Sequence, residues 1–189
     1  ALVTALASVQ SKGKEAALGL FIGGKSEARA AATKAGQELN MPYVAGRWIG
    51  GTLTNFPEIK KRIARLEEMT GQRERGELAK YTKKERLLID REIDKLILYF
   101  GGLSTLKLLP KFIVVIDPKK EHIAVKEAKV MHIPVVALAG SDSNLYELDY
   151  AIPGNDASRQ SIQYVIDEII KSYKKGKTEK EENDHNSTN

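Results

Sequence analysis

Short apolar runs alternate along this chain with longer stretches in which apolar positions recur every three or four residues. Leu18 to Ile22, Tyr43 to Ala45, Phe112 to Asp117 and Val135 to Ala139 read as buried strands, each bounded by Gly, Pro or charge. Glu27 to Leu39, Glu121 to Val130 and Ser158 to Ile170 carry the helical spacing, and Ala1 to Leu6 already follows a helical pattern. Strands that are apolar throughout, separated by amphipathic helices, predict an α/β fold: an open parallel sheet with helices on both faces.

The alternation stops between Pro57 and Phe100. There Ile59, Ile63, Leu66 and Met69 recur at helical spacing, as do Ile89, Ile93, Leu96 and Ile97, with no strand pattern between them. Thr70 to Gly76 supplies turn residues and charge, so the two arms are expected to fold back as an antiparallel helical hairpin inserted between strands. This divides the chain into a sheet domain of residues 1–56 and 101–175 and an inserted hairpin of residues 57–100. A narrow apolar seam leaves most of such a hairpin polar and open to a partner. From about residue 176 to 189 the sequence is almost purely charged and polar, which predicts a disordered tail.

At 189 residues and 42% hydrophobic content the chain can bury one substantial core. It has no Cys, and no apolar run approaches the roughly 20 residues that span a bilayer. A cytosolic protein without membrane partners is the expectation. The first residues carry neither an initiator Met nor a signal-peptide pattern, so a segment upstream of Ala1 is expected. The formal charge of +5 favours a polyanionic partner only where the basic residues cluster.

One motif points to an enzyme. Gly19 to Ser26 (Gly-Leu-Phe-Ile-Gly-Gly-Lys-Ser) satisfies the phosphate-loop pattern, and Phe112 to Asp117 resembles the apolar strand ending in a magnesium-binding Asp that accompanies such loops. Context weakens this alternative, a phosphate-loop nucleotide-binding protein. A phosphate loop follows a buried strand, whereas here Leu20-Phe21-Ile22 is itself the strand and a polar helix end precedes it. Gly23-Gly24 followed by Lys25 still places amides and a cation at a helix start, where a phosphate of RNA can be held.

The stretch from Gly46 to Pro57 concentrates the single Trp, one Arg and three Gly in a loop. Arg47 has the planar guanidinium that pairs with phosphate or stacks on a base, while Trp48 either joins it or packs as a lid over the sheet edge. Lys60, Lys61, Arg62 and Arg65 then fall within six residues on the first hairpin arm, followed by Arg73, Arg75, Lys83 and Lys84 around the tip and second arm. Interleaved Glu67, Glu68, Glu74, Glu77 and Glu85 allow the competing reading of a solvated, self-paired helix face. As RNA contacts these cations address the backbone, giving salt-dependent affinity with little sequence readout.

Asp117, Asp142 and Asp156 mark a polar rim at the C-terminal strand ends, where ligands of open sheets commonly bind. Helix capping is the competing role, and Asp156, directly before a helical run, is placed as a cap. His122, His132 and His185 are scattered and support neither a zinc site nor a catalytic triad.

Taken in order, Leu20-Phe21-Ile22-Gly23-Gly24-Lys25, Arg47-Trp48-Ile49-Gly50-Gly51-Thr52-Leu53-Thr54-Asn55-Phe56, Asp117-Pro118 and Ile152-Pro153-Gly154-Asn155-Asp156 closely resemble the second-protein family of the bacterial ribosomal small subunit. The resemblance covers residues 1 to 174. It implies a flavodoxin-like α/β domain with a protruding coiled-coil hairpin, docked between head and body of the subunit on small-subunit ribosomal RNA, and no enzymatic activity. It also implies protein neighbours including the large mRNA-binding first protein of the subunit. Within these motifs the candidate RNA-binding residues are Lys25, Arg47, Trp48 and Asn55. No small-molecule substrate or cofactor is implied, beyond structural magnesium shared with RNA. Gly24 stands where that family often carries Thr, and the family's N-terminal segment, with its own strand, is expected to be missing before Ala1.

Overall fold

The computed structural model describes residues 1–186, in the order α1 (Leu2–Lys14), β1 (Gly19–Ile22), α2 (Arg29–Leu39), β2 (Tyr43–Val44), α3 (Phe56–Glu74), α4 (Lys83–Phe100), β3 (Phe112–Ile116), α5 (His122–Val130), β4 (Val135–Ala139), β5 (Tyr150–Pro153) and α6 (Arg159–Asn186). All five strands are parallel, in the order β2-β1-β3-β4-β5. The α/β fold with an open parallel sheet is therefore present, with its topological switch point between β1 and β3.

The two-residue period of the strands sorts the core into two layers. Leu20, Ile22, Ile113, Val115, Val135 and Ala137 face α3, α4 and α5. Phe21, Val114, Ile116, Val136, Leu138 and Ile152 face α1, α2 and α6. Every residue of β1, β3 and β4 is buried, as covering both faces requires. Each fully buried Leu or Ile in these layers contributes about 1.5–3 kcal/mol of transfer free energy.

The fifth strand, β5, was not legible in the sequence. Tyr150–Pro153 is an edge strand with one fully buried residue, Ile152, so it lacks the continuous apolar run of the central strands. Among the described residues it pairs with β4 alone, with Ala139 opposite Pro153, where an edge position tolerates the missing N–H of proline.

Between β2 and β3, α3 and α4 pack along one another. Ile59, Ile63, Leu66, Ile93 and Phe100 are buried in their seam, with Met69, Ile89 and Leu96 partly so. Ile97, expected in that seam, is instead exposed, and Phe100 one turn on takes the inward place. The turn is also displaced from Thr70–Gly76. Gln72, Arg73 and Glu74 are good helix formers that carry α3 through Gly71, and the chain reverses at Gly76, whose φ of +73° suits glycine. A single turn over Glu77–Lys80 follows, burying Leu78, and Thr82 then starts α4 with a reciprocal capping box to Glu85.

The expected disorder from residue 176 is corrected. Residues 176–186 continue α6, and residues 187–189 of that tail lie outside the described residues. Composition alone hid the tertiary partner: α1 lies against α6. A Cβ on Gly13 would overlap the Tyr173 carbonyl, and one on Gly176 would overlap the Gln10 carbonyl, so the two backbones meet where neither carries a side chain. Glu179 then binds the Gln10 amide at 2.8 Å and Lys14 at 2.9 Å. The Tyr173 hydroxyl donates to the Ala17 carbonyl at 3.0 Å beneath this crossing.

This crossing is testable. Gly176→Val should force the helices apart and lower stability by about 1–3 kcal/mol, the cost of overpacking, read as a lower urea midpoint. An unchanged midpoint would mean that the end of α6 does not pack on α1.

Candidate nucleic-acid interface

Glu127, a residue of α5 with no distinguishing context in the sequence, organises the loop between β2 and α3. The residue is 8% exposed, and its carboxylate accepts from Trp48 Nε1 at 3.1 Å, Gly51 N at 2.8 Å, Leu53 N at 3.0 Å, Thr54 N at 3.2 Å and Thr54 Oγ1 at 3.2 Å. Burial pushes this carboxyl up, but the indole and the three backbone amides outweigh it and hold the group below the ordinary glutamate value. Thr52 closes the loop locally through its Oγ1 to the Ile49 carbonyl at 2.6 Å.

Trp48, a candidate RNA contact, is 6% exposed and its indole N–H donates to Glu127, so it packs inward as the lid reading has it. Arg47, its neighbour, is exposed and makes no ion pair or side-chain hydrogen bond among the described residues. Asn55, also exposed, stands at the start of α3 without a side-chain capping bond.

Lys25, the cation read as able to hold an RNA phosphate, is engaged by carboxylates. It follows β1 as expected, but its ammonium lies 3.0 Å from Asp117 Oδ2 and 3.7 Å from Asp156 Oδ1, and the Asp117 bond, ahead of the opposing effect of burial, raises its pKa. The carboxylate rim is thus neutralised from within, with Lys119 on Asp142 at 2.7 Å. Asp156 does not cap α6. Asn155 instead shapes the turn ahead of α6, its Oδ1 accepting from Ala157 N at 2.9 Å and Ser158 N at 3.0 Å. The Gly19–Ser26 pattern straddles β1 itself, with α1 before it, so it lacks the strand-then-loop order of a phosphate loop.

The hairpin cations divide into two groups. Arg65 binds Glu92 across the α3–α4 seam at 2.7 Å, Arg75 binds Glu77, and Lys61 lies 3.5 Å from Glu58. These carry much of the self-paired reading, although such exposed pairs add little stability and exchange readily for a phosphate. Arg62, Arg73, Lys83 and Lys84 are exposed without such partners among the described residues, and Lys60 is held only over the Phe56 ring, 5.7 Å from its centroid. Lys60 also borders an apolar hollow of about 860 Å³ with Phe56, Pro57, Lys107, Leu108 and Lys111.

A second buried acid lies across the switch point from Lys25. Glu121 precedes α5 and is 5% exposed. Burial raises its pKa, opposed in part by the Gly24 amide that donates to it. A Cβ at Gly24 would meet both this carboxylate and the Gly46 carbonyl, which accounts for glycine rather than threonine at this position.

The two buried glutamates should behave oppositely. Glu127 has its folded pKa below the unfolded one, so its contribution is present above the ordinary glutamate pKa of about 4.3 and is lost as pH falls through the folded value. Glu127→Ala should cost about 3 kcal/mol or more, by stranding several buried donors, and should shift Trp48 emission to longer wavelength. Glu121 binds its proton more tightly when folded, so its ionisation opposes folding as pH rises; Glu121→Gln, which keeps an acceptor for Gly24, should raise the urea midpoint at pH 7. A midpoint that falls in Glu121→Gln, or stays level in Glu127→Ala, would contradict this assignment.

Comparison with known proteins gives a consistent result. Residues 1–176 match the family described as Ribosomal protein S2. Among relatives, small ribosomal subunit protein uS2 of Sulfurimonas denitrificans is 44% identical over 84% of this chain and 61% of its own length. The protein of the same name from Chloroherpeton thalassium is 40% identical over 88% of this chain and 66% of its own. That of Thermus thermophilus is 42% identical over 80% and 59%. The chain spans about three fifths of the length of these relatives. With a parallel α/β sheet matched over nearly its whole length, this chain belongs to the ribosomal protein S2 family.

Proposed function

We propose that this chain is a structural constituent of the small ribosomal subunit that binds small-subunit ribosomal RNA and performs no catalysis. Residues 1–56 and 101–175 would form the body seated on RNA between head and body of the subunit, and residues 57–100 an arm reaching along it. The observation that carries this reading is the distribution of uncompensated charge. Acids neutralise the cations at the carboxylate rim, whereas Arg47 and the α3 residues Lys60 and Arg62 remain exposed without an ion pair among the described residues. Such cations suit a phosphate backbone.

The relatives are named as small ribosomal subunit proteins, which supports the same reading. No helix among the described residues is long and apolar enough to cross a membrane. Within the cytoplasmic ribosome the chain would support subunit assembly and the docking of the mRNA-binding first protein. Any magnesium would be shared with RNA rather than held by the chain alone.

Two measurements test this. Small-subunit RNA should bind more tightly than a random RNA of equal length, and nucleotide with magnesium should be neither bound at micromolar affinity nor hydrolysed. Changing Lys60, Lys61 and Arg62 together to Ala should flatten the dependence of log affinity on log salt by about one unit for each phosphate that is no longer neutralised. An unchanged slope would remove α3 from the interface.

A further inference from the structure

The loops after β1, β2 and β3 converge at the switch point of the sheet and enclose a hollow of about 340 Å³. Its lining includes Arg29 from α2, Arg47 from the clamped loop, Lys120 ahead of α5 and Ile123 on α5. Arg29, Arg47 and Lys120 are exposed and without ion pairs among the described residues, in contrast to Lys25 and Lys119 close by. The one acid in the lining, Glu121, is buried and engaged by the Gly24 amide.

Arg29 and Arg47 also line a neighbouring hollow of about 590 Å³, whose apolar walls include Tyr43, Leu98 and Tyr99. The two arginines therefore form a shared ridge between a cationic hollow and an aromatic one. That alternation repeats the chemistry of a nucleic-acid strand, a phosphate followed by a ring that stacks on aromatic or guanidinium planes. A polymer can occupy both hollows at once, which favours consecutive nucleotides over a single small molecule.

We propose that Arg29, Arg47 and Lys120 form a phosphate-binding site for a single-stranded segment of RNA, with the adjoining nucleotide lodged against Tyr43 and Tyr99. This rests on the RNA-binding reading above and adds Arg29 and Lys120, which lie outside the hairpin. The Glu127 clamp on Trp48 fixes the backbone next to Arg47, so the loop that carries it is positioned before RNA arrives. The phosphate goes to these three cations, since Lys25 is bound by two carboxylates.

The test uses the full chain at low salt, with inorganic phosphate, uridine 5′-monophosphate and a single-stranded RNA hexamer as probes. Phosphate should shift the backbone amide resonances of Gly24, Gly46 and Lys120 saturably, and the hexamer should displace it. In Arg29→Ala/Lys120→Ala, whose side chains are exposed, phosphate should no longer shift them and hexamer affinity should fall about ten-fold or more, as expected when strong charge-assisted hydrogen bonds are removed. Absence of saturable shifts, or shifts and affinity unchanged in that variant, would overturn the site. Monophosphate binding ten-fold tighter than phosphate, and not displaced by the hexamer, would overturn the RNA assignment in favour of a free nucleotide. The Lys60/Lys61/Arg62 variant separates the two proposals. Weakened binding there with a normal pocket variant leaves the hairpin interface and removes this site, and the opposite pattern keeps this site alone.

Discussion

A single buried carboxylate, Glu127, must be satisfied by donors from a glycine-rich loop far away in sequence, and much of the surface chemistry depends on how that is done. Its five hydrogen bonds draw Trp48, Gly51, Leu53 and Thr54 onto α5. Stranding several of those donors in an apolar interior would be costly, so the loop has one conformation available. The clamp turns Trp48 inward and leaves Arg47, one residue earlier, on the outside. It also fixes where α3 begins, because Thr54 lies two residues before the first turn of that helix.

The switch point gathers the rest. Parallel strands bring the loops after β1, β2 and β3 to the same edge, so Gly24, Gly46 and Glu121 meet there although they lie in separate segments of the chain. On one side of this edge charges cancel, Lys25 against Asp117 and Asp156, and Lys119 against Asp142. On the other, Arg29, Arg47 and Lys120 face a hollow without such cancellation. A net charge of +5 spread over 189 residues says little about partners; its local separation from the acids says more.

The α1–α6 crossing illustrates a different constraint. Small residues let two helix backbones approach closely, and Gly13 and Gly176 supply that at the crossing. Their packing extends α6 through a segment whose own composition is too polar to hold a fold alone. Gln10 and Lys14 on Glu179 complete it, a polar seam rather than an apolar one.

Hydrophobic periodicity by itself determined the α/β class, four of the five strands and the two helices between β2 and β3, because fully covered strands and amphipathic helices leave their period in the sequence. The Arg-Trp loop and the basic run on α3 were visible as residue types. What periodicity could not carry were the outcomes decided by a distant partner: the inward turn of Trp48 onto Glu127, the capture of Lys25 by Asp117 and Asp156, the helical order of residues 176–186 against α1, and the half-exposed edge strand β5. Arg29 and Lys120 carried no local signal at all. Their significance arises from the parallel topology, which sets three loops side by side, and only the tertiary structure decides which charges end up alone.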